Sequence, residues 1–124
     1  MNLVDSSAWL EYFTDGPNTK HFAPVVKIPD QLVVPSITLY EVCKVVLRES
    51  DENNALQACA AMRKGQVIPL DAKLAIAACK LSLLHRLPMA DAVILATARE
   101  HGATLWTQDA HFREMAGVRY YPKK

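Results

Sequence analysis

The chain has 124 residues, of which 51% are hydrophobic and 22% charged, and its formal net charge is +1 at pH 7. This length fits a single domain spanning residues 1–124, which can bury a core without disulfides or a structural metal. The nearly neutral charge excludes a broad basic field, so a nucleic acid would have to be bound through a local patch or a metal ion.

Short apolar runs alternate with amphipathic segments, which predicts strands alternating with helices. Residues 19–30 are ambiguous, because Pro24 and Pro29 interrupt an apolar helical face. Ser6 or Ser7 is the predicted cap of the first helix, and Pro69 predicts that the third strand lies at a sheet edge. In chain order, the predicted elements are a strand at 2–4, a helix at about 6–13, a loop at 15–18, a strand at 32–34, helices at about 36–48 and 51–64, a strand at 67–70, helices at about 71–84 and 88–101, a strand at 103–107, a short helix at 110–115 and a strand at 118–121.

This order of elements predicts an α/β fold with a parallel sheet and right-handed crossovers. Binding sites in such folds form in the crevice beyond the carboxyl ends of the strands. Residues that follow different strands can therefore meet there although they are distant in sequence.

Cysteine usage and hydropathy bear on the cellular compartment. Cys43, Cys59 and Cys79 lack the spacing of a zinc site or a redox motif, so we expect small buried side chains in a reducing cytosol. No secretory signal precedes Asp5, and no apolar run approaches the roughly 20 residues that span a bilayer. The predicted location is the cytoplasm, with no membrane partner.

Five of the thirteen acidic residues lie at predicted strand ends or helix starts, namely Asp5, Glu41, Asp71, Asp91 and Asp109. Each has a local explanation. Asp5, Asp71 and Asp109 can cap the helices that follow them, and Thr38 with Glu41 fits a capping box. Asp91 lies in a first helical turn, where the helix dipole favours an anion.

The surroundings of three acids favour a shared role. Asp91 lies among alanine, valine and leucine, and a buried carboxylate is costly unless it is paired or binds a metal. Asp5 ends an apolar strand that looks central, and Asp109 follows another strand. Neighbouring strands are about 4.8 Å apart, so acids at their ends can share one cation. Oxygen ligands favour Mg²⁺ or Mn²⁺, whereas Asp71 follows an edge strand and remains a cap.

Four stretches taken together resemble one known family. They are Val-Asp-Ser-Ser at 4–7 followed by Trp-Leu-Glu-Tyr-Phe, Thr-Leu-Tyr-Glu-Val at 38–42, Met-Ala-Asp-Ala-Val-Ile-Leu-Ala-Thr-Ala at 89–98, and Leu-Trp-Thr-Gln-Asp-Ala-His-Phe at 105–112. Their order and spacing resemble the PIN-domain nucleases, in particular the VapC toxins of prokaryotic toxin–antitoxin pairs. The resemblance extends over essentially the whole chain.

The resemblance implies a three-layer α/β/α fold with a central, mostly parallel five-stranded sheet. It also implies a Mg²⁺-dependent ribonuclease, a homodimer and neutralisation by a cognate VapB-type antitoxin. The acids carried over by position, as catalytic residues and metal ligands, are Asp5, Glu41, Asp91 and Asp109. Ser6 and Thr107 match small polar residues that orient the carboxylates or a water molecule.

The chemistry expected of such a site is hydrolysis of an RNA phosphodiester. One or two Mg²⁺ ions, or Mn²⁺, would reverse the sign of the acidic pocket and activate the attacking water. Lys44, Arg48 and Arg113 follow the acids at helical spacing and are candidates to guide the phosphates, although each also fits a solvated helix face. His111 lies near Asp109, where it could contact the substrate, but we expect an ordinary surface histidine.

Two features of the sequence fit more than one function. Trp9, Tyr12, Phe13 and Phe22 form an apolar surplus that fits either core packing or a groove for an antitoxin helix. The chain also fits a non-catalytic PIN-like module that binds RNA or protein, although the complete set of four acids argues against that alternative.

Overall fold

The computed structural model describes residues 1–124, and its centre is a five-stranded sheet. The sheet order is β3-β2-β1-β4-β5, and every neighbouring pair is parallel. The predicted α/β fold is therefore confirmed, and the sheet is wholly rather than mostly parallel. The strands are β1 (Asn2–Val4), β2 (Leu32–Pro35), β3 (Gln66–Ile68), β4 (Thr104–Thr107) and β5 (Val118–Tyr120).

Six α-helices and two 3-10 turns connect the strands. The helices are α1 (Ser6–Phe13), α2 (Thr19–Val26), α3 (Ser36–Glu49), α4 (Glu52–Met62), α5 (Ala72–His85) and α6 (Met89–Glu100), and the 3-10 turns are Pro29–Gln31 and Ala110–Phe112. The ambiguous segment thus contains a helix that includes Pro24. Pro24 is exposed while Phe22, Val25 and Val26 are buried, so packing of one face stabilises this helix despite the proline.

Helices cover both faces of the sheet, which confirms the three-layer architecture. Successive residues of β1 point to opposite faces, so Leu3 and Val4 belong to separate cores. Leu3 packs with residues of α5 and α6 and with Phe112, whereas Val4 packs with residues of α1 to α4. In α6 the residues from Ala92 to Ala98 are all buried. This helix places Asp91 at its first turn.

The sheet edge agrees with its prediction, whereas the cysteines do not. Gln66 and Val67 of β3 are exposed, which confirms that this strand lies at an edge. All three cysteines are free, but none is fully buried. Cys43 and Cys59 are half-buried and Cys79 is exposed, so the expectation of buried thiols is wrong.

No single helix has the length and hydropathy needed to cross a membrane; α5 and α6 reach them only when counted together, across a bend of 114°.

Candidate active site

The candidate site lies where β1 and β4 end, side by side in the middle of the sheet. The two strands pair in parallel, with Val4 opposite Trp106, so their carboxyl ends open on the same edge. Asp5 follows β1 directly, and Asp109 follows β4 by two residues. Both acids therefore lie at the edge of the sheet where the sequence placed them.

Asp5 is the most buried acid of the site, with only 3% of its surface exposed. Its Oδ1 accepts hydrogen bonds from Ala8 N at 3.0 Å and Ser7 Oγ at 2.6 Å, and its Oδ2 accepts one from Thr107 Oγ1. Asp5 rather than Ser6 or Ser7 therefore caps α1, so the predicted serine cap is wrong. The residue caps the helix and faces the site at once.

Burial dominates the ionisation of Asp5. Removal from water raises the pKa of this carboxyl to about 6, although the hydrogen bonds from Ser7, Thr107 and Ala8 lower it. The negative charge of Asp109 raises it further. The three hydrogen-bond donors favour the ionised form of Asp5. The cost of burying the negative charge is larger, so the net effect is a raised pKa.

A polar network joins the two strand ends. Thr107 Oγ1 donates to Asp5 and accepts a hydrogen bond from Asp109 N at 2.8 Å, so one hydroxyl links two acids. Ser7 Oγ, which donates to Asp5, accepts from Gln108 N at 3.0 Å. Ser7 and Gln108 had no signal in the sequence, because nothing in their spacing shows that their polar groups meet.

Helices α3 and α6 bring Glu41 and Asp91 to the same site. Burial raises the pKa of both carboxyls, and the repulsion of neighbouring acids adds to it: Asp91 and Asp109 act on Glu41, and Asp109 acts on Asp91. The Ser6 side chain partly offsets the shift at Glu41. The structure therefore brings Asp109 within electrostatic reach of the other three predicted acids, and Asp91 within reach of Glu41.

The predicted capping box at the start of α3 is not present. Thr38 lies inside the helix, which begins at Ser36, and its hydroxyl is buried without a hydrogen-bond partner. Pro35 precedes the helix without a side-chain cap. Glu41 is thus released from a capping role and faces the other acids.

His111 lies closer to the acids than its place in the sequence suggested. Its Nδ1 is 2.7 Å from Asp91 Oδ2 and 3.2 Å from Asp109 Oδ1. The hydrogen bond with Asp91 and the charge of Asp109 raise the pKa of the imidazole. The side chain is 54% exposed, as expected of a surface histidine, but it belongs to the site. Its position in the turn directly after Asp109 was the available signal.

The predicted phosphate-guiding residues make no ion pair with the acids. Lys44 Nζ lies 5.7 Å from the centre of the Tyr40 ring, and Arg48 pairs with Glu49 at 3.0 Å. The guanidinium of Arg113 lies 6.0 Å from the centre of a tyrosine ring in β5. All three cations are exposed.

The residues of the site fit a divalent cation. Carboxylate oxygens are the preferred ligands of Mg²⁺ and Mn²⁺. Glu41 Oε1 is buried and has no hydrogen-bond partner, which is costly unless a cation or another donor satisfies it. Ligand atoms of Asp91, Asp109 and His111 lie within 4.8 Å of one another. The donor set and the unsatisfied oxygen both favour a bound cation.

The fold and the site define a class of α/β proteins in which an all-parallel sheet gathers carboxylates at the ends of its central strands. Within that class, residues 3–118 match the PIN domain family. The match includes all four acids and nearly the whole chain, and the chain belongs to this family. No curated protein matches the sequence significantly.

Solved structures show the same fold. A toxin–antitoxin complex from Klebsiella pneumoniae includes a chain with a TM-score of 0.84 and 23% identity, over 98% of this chain and 99% of that one. VapC20 of Mycobacterium tuberculosis, described as a sarcin–ricin loop cleaving toxin, has a TM-score of 0.80 and 21% identity over 98% and 100%. DNA-bound VapBC from Salmonella typhimurium has a TM-score of 0.74 and 19% sequence identity, over 98% of this chain and 98% of that one.

Proposed function

We propose that residues 1–124 act as one PIN domain, a ribonuclease toxin that depends on Mg²⁺ or Mn²⁺ and is neutralised by a cognate antitoxin. The observation that carries this proposal is the gathering of Asp5, Glu41, Asp91 and Asp109 at the ends of β1 and β4. Burial raises the pKa of three of these carboxyls, and the charge of neighbouring acids adds to the rise, as is common for carboxyls at functional sites. Because the proposed substrate is RNA, we propose that the enzyme acts in the cytoplasm.

The residues divide the work in the proposed reaction. Asp5 and Asp91 are proposed as the principal metal ligands, with Asp109 or Glu41 binding the ion directly or through a water molecule. When bound, a divalent cation supplies charge neutralisation for the phosphate and activation of the attacking water. Thr107 positions two of the acids through its hydroxyl, which bonds to Asp5 and to the amide of Asp109.

Basic residues around the pocket would attract the phosphates. We assign this role to Lys44, Arg48 and Arg113, each of which is exposed. Lys44 lies one helical turn after Glu41 on α3, and Arg113 one turn after Asp109. Ser6, beside Glu41, is proposed to orient that carboxylate.

The deciding experiment is an RNA cleavage assay on the purified chain with and without chelator. We expect cleavage with Mg²⁺ or Mn²⁺, loss after EDTA treatment, recovery on adding the ion back, and 5′-phosphate products. Asp5→Asn and Asp91→Asn should abolish cleavage. Asp71→Asn is the matched control, because Asp71 also caps a helix but lies at the start of α5, after the edge strand. RNA binding without cleavage in any ion would favour the non-catalytic alternative.

A groove beside α1 offers a site for the antitoxin. It has a volume of about 940 Å³ and is walled by α1, α3 and α4, with Tyr12, Phe13 and Val45 among its lining residues. Trp9 and Phe22 are buried in the core, so the apolar surplus near the amino terminus divides between the core and the groove. We assign the groove to an apolar helix of the antitoxin, since the structures with this fold include toxin–antitoxin complexes.

Co-expression with the product of the neighbouring reading frame tests this groove. We expect that product to co-purify with the chain and the Val45→Arg variant to lose it, because the long charged side chain would fill the groove and replace apolar contacts there. Leu56→Arg is the control, since Leu56 lies on α4, is 63% exposed and does not line the groove. Equal capture by both variants would contradict the assignment.

The homodimer implied by the family resemblance has a candidate surface on α5. Leu83, Leu84 and Ile76 are 81%, 73% and 60% exposed, which is unusual for large apolar side chains on one helix. We propose that a second copy of the chain covers them. Sedimentation of a Leu83→Glu, Leu84→Glu double variant beside the wild type measures whether these side chains hold a dimer together.

A further inference from the structure

The imidazole of His111 occupies the position from which a ligand would reach a cation held by Asp91 and Asp109. Its Nδ1 is 2.7 Å from Asp91 Oδ2 and 3.2 Å from Asp109 Oδ1. One atom from each of these three residues lies within 4.8 Å of the other two. The ligand atoms around one ion lie at distances from one another that are similar to those between these three side chains, because metal–ligand bonds are about 2 Å long.

The backbone holds this imidazole in place. His111 N donates to Asp109 Oδ1 at 2.9 Å, and the 3-10 turn that carries the histidine starts directly after Asp109. The next residue, Phe112, is fully buried in the core with α6 residues. The turn is thus anchored on both sides, and the histidine is directed to the acids by the fold rather than by a flexible loop.

We propose that His111 is a direct ligand of the divalent cation, so that the centre combines nitrogen with oxygen donors and selects Mn²⁺ over Mg²⁺. This inference rests on the metal site of the proposed function. Mg²⁺ binds oxygen and keeps its waters, whereas imidazole nitrogen is a ligand for first-row transition metals. Mn²⁺ accepts a majority of carboxylates together with one nitrogen, which is the donor set found here.

Direct binding to the intact chain tests the proposal without an activity assay. We expect Mn²⁺ to bind roughly ten-fold more tightly than Mg²⁺, and His111→Ala to remove most of that preference by weakening Mn²⁺ alone. Electron spin-echo spectra of bound Mn²⁺ should show coupling to a ¹⁴N nucleus in the wild type and none in His111→Ala. His101→Ala is the matched control, because His101 lies at the far end of α6 beside Glu100, and it should keep the coupling.

Each outcome decides one point. Bound Mn²⁺ without nitrogen coupling would mean that His111 only pairs with the acids and yields to the ion, which overturns the inference. Such a protein that still cleaves RNA would leave the proposed function intact. Nitrogen-coupled Mn²⁺ in a protein that cleaves no RNA would support the inference and overturn the proposed ribonuclease.

Discussion

Asp5 shows how one residue serves the fold and the site together. As the cap of α1 it accepts the amide of Ala8, and as a member of the acid cluster it holds Thr107 and lies near Asp109. A capping carboxylate is normally stabilising because it satisfies a free amide at the positive end of the helix. Here the burial of its charge opposes that gain.

The Asp5→Asn variant is therefore expected to be more stable than the wild type at pH 7 in EDTA, although it is inactive. A rise of the Asp5 pKa from 3.8 to about 6 corresponds to at most about 3 kcal/mol of destabilisation of the charged form. Asparagine keeps an oxygen that accepts from Ala8 N and Ser7 Oγ and carries no charge. Thermal unfolding followed by circular dichroism measures the difference.

The Asp71→Asn variant separates this effect from simple capping. Asp71 Oδ1 accepts from Leu74 N at 2.9 Å and caps α5, so the same substitution there removes only an exposed charge near a helix dipole. We expect it to be neutral or to lose up to about 1 kcal/mol. An equal gain in both variants would show that burial at Asp5 is not the cause.

At the scale of elements, periodicity predicted most of the fold. β2 is buried on both faces, β1 and β4 have buried apolar residues at their centres, and α6 is buried from Ala92 to Ala98, so the type of these elements followed from the pattern of apolar residues. The caps could not be derived in the same way. Ser6, Ser36 and Thr38 all have capping side chains, but the chain geometry uses Asp5 and Pro35 at those positions instead.

The acidic residues of the site could be predicted from the sequence, but the hydrogen bonds that connect them could not. Residues at strand ends meet in any parallel sheet, which is why Asp5 and Asp109 could be placed from the strand order. The sequence does not show where side chains point, so the links from His111 to Asp91 and from Ser7 to Gln108 appeared only with coordinates.

The loop between α1 and α2 holds such a link. Asn18 is 1% exposed, and its Nδ2 donates to Gln108 Oε1 at 2.7 Å and to Pro122 O at 2.9 Å. It therefore ties the loop to the residue after β4 and to the carboxyl-terminal tail. The sequence pattern of residues 15–18 indicated a loop but gave no sign of this buried side chain.

Replacing Asn18 with alanine should destabilise the protein by about 1–3 kcal/mol, because Gln108 Oε1 loses its donor in a buried position. Urea unfolding at equilibrium measures the change. Asn53→Ala is the matched control, since Asn53 is exposed on α4 and alanine suits a helix. Similar losses in the two variants would mean that the buried contacts of Asn18 contribute nothing.

At the scale of the whole molecule, a net charge of +1 conceals a local concentration of acid. Asp5, Glu41, Asp91 and His111 all have a raised pKa, so each binds more protons in the folded chain than in the unfolded one. Without metal, the free energy of unfolding should therefore fall as pH rises. The contribution of Asp5 is lost between about pH 4 and pH 6, and that of His111 is lost as the pH rises through its raised pKa. In the metal-free protein, protons bound to these acids neutralise the negative charge that a bound cation would otherwise neutralise.

Metal binding is therefore expected to release protons. Ligands bind a cation in their deprotonated form, so at pH 6 Mn²⁺ or Mg²⁺ must displace protons that the folded site still holds, and at pH 8 far fewer remain. Isothermal titration calorimetry in two buffers of different ionisation enthalpy counts the protons released at each pH. We expect release at pH 6 to exceed that at pH 8, and affinity to rise with pH over the same interval. Binding without proton release at pH 6 would show that the ion binds away from these acids, because a cation held among them lowers the pKa of the carboxyls that are still protonated and favours loss of their protons.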